Sequence, residues 1–204
     1  WETHWQEVSD YMLPRKADVT KTRSKGDKRT ELIFDSSPLQ SVDLLAASLH
    51  GMLTNPSTPW FTLRYKDPEI ENDDEAKLWL ESATDAMYVA FNRSNFQQEI
   101  FELYHDLITF GTACMFVQDD DEDTLKFSTR HINEIYIAEN EKGKVDTVYR
   151  LFKMSVRAAF QQFGEAISTS TKGLITKDPY EEISILHAVY PRNDFDPKKQ
   201  DRKN

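Results

Sequence analysis

The sequence predicts an α+β fold, an N-terminal helical layer packed on an antiparallel β meander. Three observations carry that expectation. Between residues 36 and 112, apolar side chains recur with a 3.6-residue period in three runs, each with its own start and stop signals. Beyond Gly111 the period drops to two, through ACMFVQ, TLKFSTR, EIYIA and VDTVYRLFK. Gly111 stands at the switch, where a helix ending with positive φ calls for the residue that has no Cβ. The expected organisation is an N-terminal arm at 1–35, a helical part at 36–112, a meander with one short helix at 113–164, and a loop, strand and polar tail at 165–204.

The arm opens with WETHWQEVSDYMLP, in which Trp1, Trp5, Val8 and Met12 share one side of a short helix stopped by Pro14. RKADVTKTRSKGDKR follows, with seven basic residues against two acids. Its near-absence of apolar side chains predicts a solvated loop, and its charge makes it the candidate interaction arm for a partner or nucleic acid. The first helix of the layer starts at Ser37-Pro38 and stripes Leu39, Val42, Ala46, Leu49 and Leu53 before Asn55-Pro56 ends it. The second starts near Asp73-Asp74-Glu75, acids that complement the positive end of the helix dipole. It stripes Ala76, Trp79, Leu80, Ala83, Met87, Ala90 and Phe91. The third carries the capping-box pattern Ser94-x-x-Gln97 and stripes Phe96, Ile100, Leu103, Leu107 and Phe110. In the meander, Leu125, Phe127 and Thr129 alternate with Lys126, Ser128 and Arg130, and ENEKGK makes a turn around Gly143. SVRAAFQQFG reads as a helix capped by Ser155 and closed by Gly164; residues 165–181 read as a loop or weak helix, and EISILHAVY as a last strand.

Composition narrows the function. The chain has 204 residues and a net charge of −10, which argues against a general nucleic-acid-coating role, since phosphate binding draws on a basic excess. No run of 18 apolar residues occurs, no secretory leader pattern is visible at the polar, aromatic N-terminus, and the one cysteine, Cys114, excludes an internal disulfide and fits a reducing compartment. The five histidines, at 4, 50, 105, 131 and 187, show no metal-ligand spacing, and the six glycines form neither a dinucleotide nor a phosphate-binding loop. Cys114 lies in an apolar strand and reads as packing. His105 and Asp106 are adjacent on a helix and do not face each other, so they make no dyad. The acid run at 119–123 lacks the glycine and late glutamate of a calcium loop and reads as a solvated hairpin tip. The acids of 67–75 divide between a loop and a helix start. No catalytic, cofactor-binding or metal-binding residue is assigned.

Several segments, in order, resemble the head-to-tail connecting, or portal, proteins of short-tailed bacteriophages. They are SSPLQSVDLLAASLHGMLTNPSTPWFTLRYKD, WLESATDAMYVAFNRSNFQQEIFELYHDLITFGTACMFVQDD, EIYIAENEKGKVDTVYRLFKMSVRAAFQQFG and HAVYPRND, together most of residues 30–194. The combination of LTNPSTPWF, SNFQQEI…DLITFGTA and AENEKGKVDTVYR is what makes the resemblance specific. It implies a structural virion protein rather than an enzyme: a subunit of a twelve-membered ring at one capsid vertex, through which DNA is packaged and ejected. It also implies partners in a terminase motor, a tail adaptor and the major capsid protein, with no cofactor and no membrane. Family members are much longer, and this chain would correspond to their N-terminal wing part. Two other classes are weighed beside it. One is a monomeric protein-binding adaptor or scaffold domain. The other is a metal-dependent nuclease using Asp119, Asp121 and Asp123.

Overall fold

The computed structural model describes residues 1–24, 26–66, 73–120 and 122–191, and the chain divides into two compact units, Trp1–Asn133 and Glu134–Asn204. The division falls inside the stretch whose periodicity predicts one meander.

The first unit is built around one helix. In chain order its elements are α1 (Glu2–Met12), α2 (Ser37–Leu53), α3 (Asp74–Arg93), α4 (Phe96–Phe110) and the antiparallel hairpin β1 (Cys114–Asp120) and β2 (Thr124–Arg130). α4 is buried on several sides, through Phe96, Ile100, Tyr104, His105, Asp106, Thr109 and Phe110. The core joins it to α2 through Ala46 and to the hairpin through Phe127, with Ile100 and Tyr104 between them. Each such aromatic or aliphatic side chain, fully buried, contributes on the order of 1.5–3 kcal/mol. An aromatic stack extends the core: Trp60 lies parallel to Phe96 at 5.9 Å and 7°, and Phe91 meets Phe96 at 4.8 Å.

Local signals explain most boundaries. Asp73 caps α3 by accepting the Glu75 N–H at 3.1 Å. Gly111 closes α4 in the left-handed region, φ 74° and ψ −3°, and its N–H bonds the Leu107 carbonyl at 3.0 Å. Ser94 and Gln97 do not form the expected capping box. Ser94 Oγ accepts from Phe96 N–H at 3.2 Å, Gln97 instead meets His50 Nε2 at 2.8 Å, and α4 begins at Phe96 after Asn95.

Asn95 also explains why there is no continuous meander. Its side chain accepts the Phe127 N–H at 2.8 Å and donates to the Phe127 carbonyl at 2.9 Å, as a neighbouring strand would. Glu99 accepts the Thr129 N–H at 2.6 Å on the same edge. With the free side of β2 engaged by α4, the next strand cannot pair there. The chain instead passes through a 3-10 turn, Ile132–Glu134.

The second unit holds a separate antiparallel sheet of order β3-β4-β5, with β3 at Ile135–Glu139, β4 at Val145–Ser155 and β5 at Glu182–Val189. The β3–β4 turn is the expected one: Gly143 has φ 68°, and the Asn140 side chain accepts the N–H groups of Lys142 and Lys144. Ser155 caps α5 (Val156–Phe163) through the Ala158 N–H, Gly164 ends it at φ 54°, and α6 (Thr169–Ile175) is capped by Ser168. Val156 and Ala159 anchor α5. Arg150 lies 3.7 Å over the Phe152 ring while its Nε donates to Glu134 at 2.8 Å.

Candidate functional site

Residues 1–29 are neither a solvated arm nor an open cationic one. Leu13 and Ala17 are buried, and so are three polar residues of α1: Gln6, Ser9 and Asp10. Trp5 and Val8 are only half-buried, and Trp1 is exposed. The Gln6 side-chain oxygen accepts three backbone N–H groups, from Val19, Thr20 and Lys21, while its nitrogen donates to Ala17 O and Asp10. One glutamine thereby shapes a turn where composition alone predicts a solvated loop.

The cations of this segment have acidic partners within the same unit. Lys21 and Arg23 pair with Asp10 at 2.6 and 3.0 Å, Arg23 and Arg29 pair with Asp18 at 2.8 and 2.7 Å, and Arg15 pairs with Glu102 at 3.0 Å. Lys16 Nζ lies 2.7 Å from both oxygens of Asp106 on α4. Burial alone would raise the Asp10 and Asp18 carboxyls, but their cationic hydrogen-bond partners outweigh it and hold both below the ordinary value. Asp106 is buried more completely; desolvation dominates and holds it above the ordinary carboxylate value despite Lys16. The segment is therefore fastened to α4, and Trp5 Nε1 adds a bond to the Phe110 carbonyl at 3.1 Å. His131 holds the other side of it, its Nε2 donating to Lys16 O at 2.7 Å and its Nδ1 accepting from Asn133.

The acid run sits at the β1–β2 tip, where Asp120 pairs with Thr124. Asp119 and Asp123 are exposed, and Asp120 Oδ2 accepts the N–H groups of Glu122 and Asp123. Asp121, the middle member of the nuclease alternative, lies outside the described residues, as does most of the 67–75 acid cluster. Among the described residues no three His, Cys, Asp or Glu side chains are grouped as a metal site. Cys114 is half-buried in β1. His105 is 2% exposed, with Asp43 Oδ1 3.6 Å from its Nδ1; desolvation lowers its pKa more than Asp43 raises it.

A cleft of about 520 Å³ runs between α3 and the strap at 59–64, lined by Phe61, Leu63, Leu80, Thr84 and Tyr88. Its hydroxyls are already engaged. Tyr88 Oη accepts from the Trp60 and Phe61 N–H groups and donates to Phe61 O, and Thr84 Oγ1 accepts from Leu63 N–H and donates to Leu80 O. The cleft fastens a strap; its lining offers no nucleophile beside a base.

What the molecule does expose is apolar helix surface. Leu44, Met52, Leu53, Leu78, Trp79 and Val89 are between 50% and 82% exposed. Periodicity assigns Trp79, Leu53 and Leu107 to the core, yet the first two are among these exposed residues and Leu107 is 43% exposed. These helices carry apolar residues on more than one face, and a period of 3.6 does not say which face is covered.

The geometry thus defines a class: an α+β module of fastened helices and exposed apolar faces. The chain belongs to the family of bacteriophage head to tail connecting proteins, which it matches over residues 1–204. It is 33% identical over 207 aligned residues to the probable portal protein of Bordetella phage BPP-1. It is 34% identical over the same length to the portal protein of Salmonella phage epsilon15. Both alignments cover all of this chain and 37% of the relative, so the chain spans well under half the length of the curated relatives it matches.

Proposed function

We propose that this chain is the N-terminal wing part of a portal subunit, a structural component of the capsid vertex that joins head to tail. The observation that carries the reading is the match of the whole chain to the connector family, together with its identity to two phage portal proteins. In this reading twelve copies of the full-length protein close a ring. DNA passes through it during packaging and ejection, and a terminase motor, a tail adaptor and the major capsid protein dock on it.

The physical features fit such a role. A closed ring needs each copy to offer the same two faces in the same relation, so its parts must be rigid. The ties from α1 and its following turn to α4, and from Asn95 and Glu99 to β2, fix the first unit in one arrangement. A net charge of −10 suits a conduit, because each phosphate neutralised by the wall would add affinity and hinder sliding. The basic segment, the natural candidate for gripping DNA, has its cations engaged by Asp10, Asp18, Glu102 and Asp106.

Electron microscopy of the purified full-length protein tests the reading. A closed twelve-fold ring with a central channel is the expected result. A protein that stays monomeric at the concentrations used for assembly would overturn it and favour the adaptor class.

A further inference from the structure

From the two uncovered helix faces of the first unit, we infer that they are the two halves of one head-to-tail contact between neighbouring copies, α2 of one copy against α3 of the next. The inference rests on the ring reading above and goes further by naming the surfaces.

The outward face of α2 is a ridge of Leu44, Ser48 and Met52, spaced four residues apart. Leu44 is 72% and Met52 82% exposed, and Leu45 flanks them at 48%. The charged residue of the helix, Asp43, lies off this ridge, beside His105. A solvent-facing ridge without charge is unusual unless something covers it. α3 carries a ridge of the same spacing, Leu78, Ser82 and Ala86, with Trp79 and Val89 on its flank at 61% and 50% exposure.

Two ridges of period four pack into each other's grooves, and a serine at the centre of each lets the axes approach closely, toward the short end of about 8–10 Å. The faces differ, which selects the mode of association. α3 against α3 would bring Glu81 and Asp85 onto their own copies; the uncharged α2 ridge presents no such repulsion. Dissimilar, mutually compatible faces on one body give a heterologous contact, which closes into a ring, and not a two-fold pair. The area agrees with assembly by ring closure. Each face offers roughly 400–500 Å² of apolar surface, short of the ~800 Å² per partner of a stable pair. A lone contact is therefore weak, and the closed ring holds each copy through two.

The test uses full-length protein with its native cysteines replaced and Ser48→Cys and Ser82→Cys introduced singly and together, treated with a short bifunctional maleimide after assembly. Ring formation is scored separately by electron microscopy. The double variant should give a covalent ladder extending to the whole ring, and neither single variant should give dimers. Dimers from Ser48→Cys alone, or intact rings with no ladder, would overturn the inference and leave the ring reading standing; absence of rings even without the cysteines would remove both. As a second measurement, Leu44→Glu and Trp79→Glu should each lower the ring fraction at least tenfold with an unchanged melting temperature of the subunit. Rings at the unsubstituted level in both variants would also overturn it.

Discussion

Lys16→Met isolates the tie between the N-terminal segment and α4. The Asp106 side chain is 3% exposed and both its oxygens lie 2.7 Å from Nζ. Removing one partner of a buried pair typically costs about 3–5 kcal/mol, because the other charge is left without compensation. Asp106 can escape by taking a proton, and that sets a ceiling. From an ordinary value of 3.8, protonation at pH 7 costs about 4 kcal/mol, and at pH 5 about 1.6, at roughly 1.4 kcal/mol per unit. Lys16→Met should therefore destabilise the chain by about 3–4 kcal/mol at pH 7 and by less than about 2 at pH 5. Urea unfolding at the two pH values measures both. Adding Asp106→Leu should recover most of the loss, since a buried pair replaced by apolar side chains is often near neutral. A loss below about 1 kcal/mol at pH 7, or one that does not shrink on acidification, would refute the claim that Asp106 is held charged by Lys16.

Three more outcomes follow from the same structure. At Gly111 no atom lies within 4 Å of an added Cβ, so substitution costs are conformational: about 1–2 kcal/mol for Ala, more for Val and least for Asn, in thermal or urea unfolding, and equal costs would contradict the left-handed cap. His105, whose basicity is lowered by burial and only partly restored by Asp43 and Glu102 against Arg15 and Lys16, should make stability fall as pH drops below 6.5, because the unfolded chain takes up the proton first. His105→Leu should flatten the melting temperature between pH 7 and 5, and an unchanged slope would assign the effect elsewhere. Asp119→Asn with Asp123→Asn should change stability by less than about 0.5 kcal/mol, both side chains being exposed, and the protein should not cleave duplex or single-stranded DNA in magnesium or manganese. Cleavage that vanishes in this variant would restore the nuclease alternative.

The sequence disclosed the elements whose determinants lie close together in the chain. The α2 stripe is carried by Val42 and Ala46, the α4 stripe by Phe96, Ile100 and Phe110, and all five are buried. The Gly111 cap, the Ser155 cap and the Gly143 turn are each set within a few residues and were legible for the same reason. The determinants that stayed hidden act at long range. Nothing near Gln6 or Asp10 marks them as buried, because their value depends on Ala17, Lys21 and Arg23 folding back over them. The break after β2 was invisible because Asn95, some thirty residues earlier, occupies the strand edge. The exposed ridges were partly legible as apolar positions, but periodicity cannot distinguish a face covered by the chain from one left open.

The buried polar contacts of the N-terminal segment and the open apolar ridges belong to one physical problem. A helix such as α1, docked on α4 by apolar contact alone, could shift along it at small cost, since dispersion and burial are not directional. Hydrogen bonds from Trp5 to the Phe110 carbonyl and from Lys16 to Asp106 admit a single register, because a displaced helix would strand a buried carboxylate. The Asn95 and Glu99 bonds do the same for the hairpin, which as two strands alone would be marginal. Such contacts add little net stability compared with well-packed apolar side chains, and what they supply is a unique arrangement. A ring magnifies that requirement, since a small angular error in each copy accumulates around the circle and prevents closure. Loss of the Lys16–Asp106 tie should therefore impair ring closure at a pH and temperature where the subunit itself is still folded, a separation that stability measurements alone would not reveal.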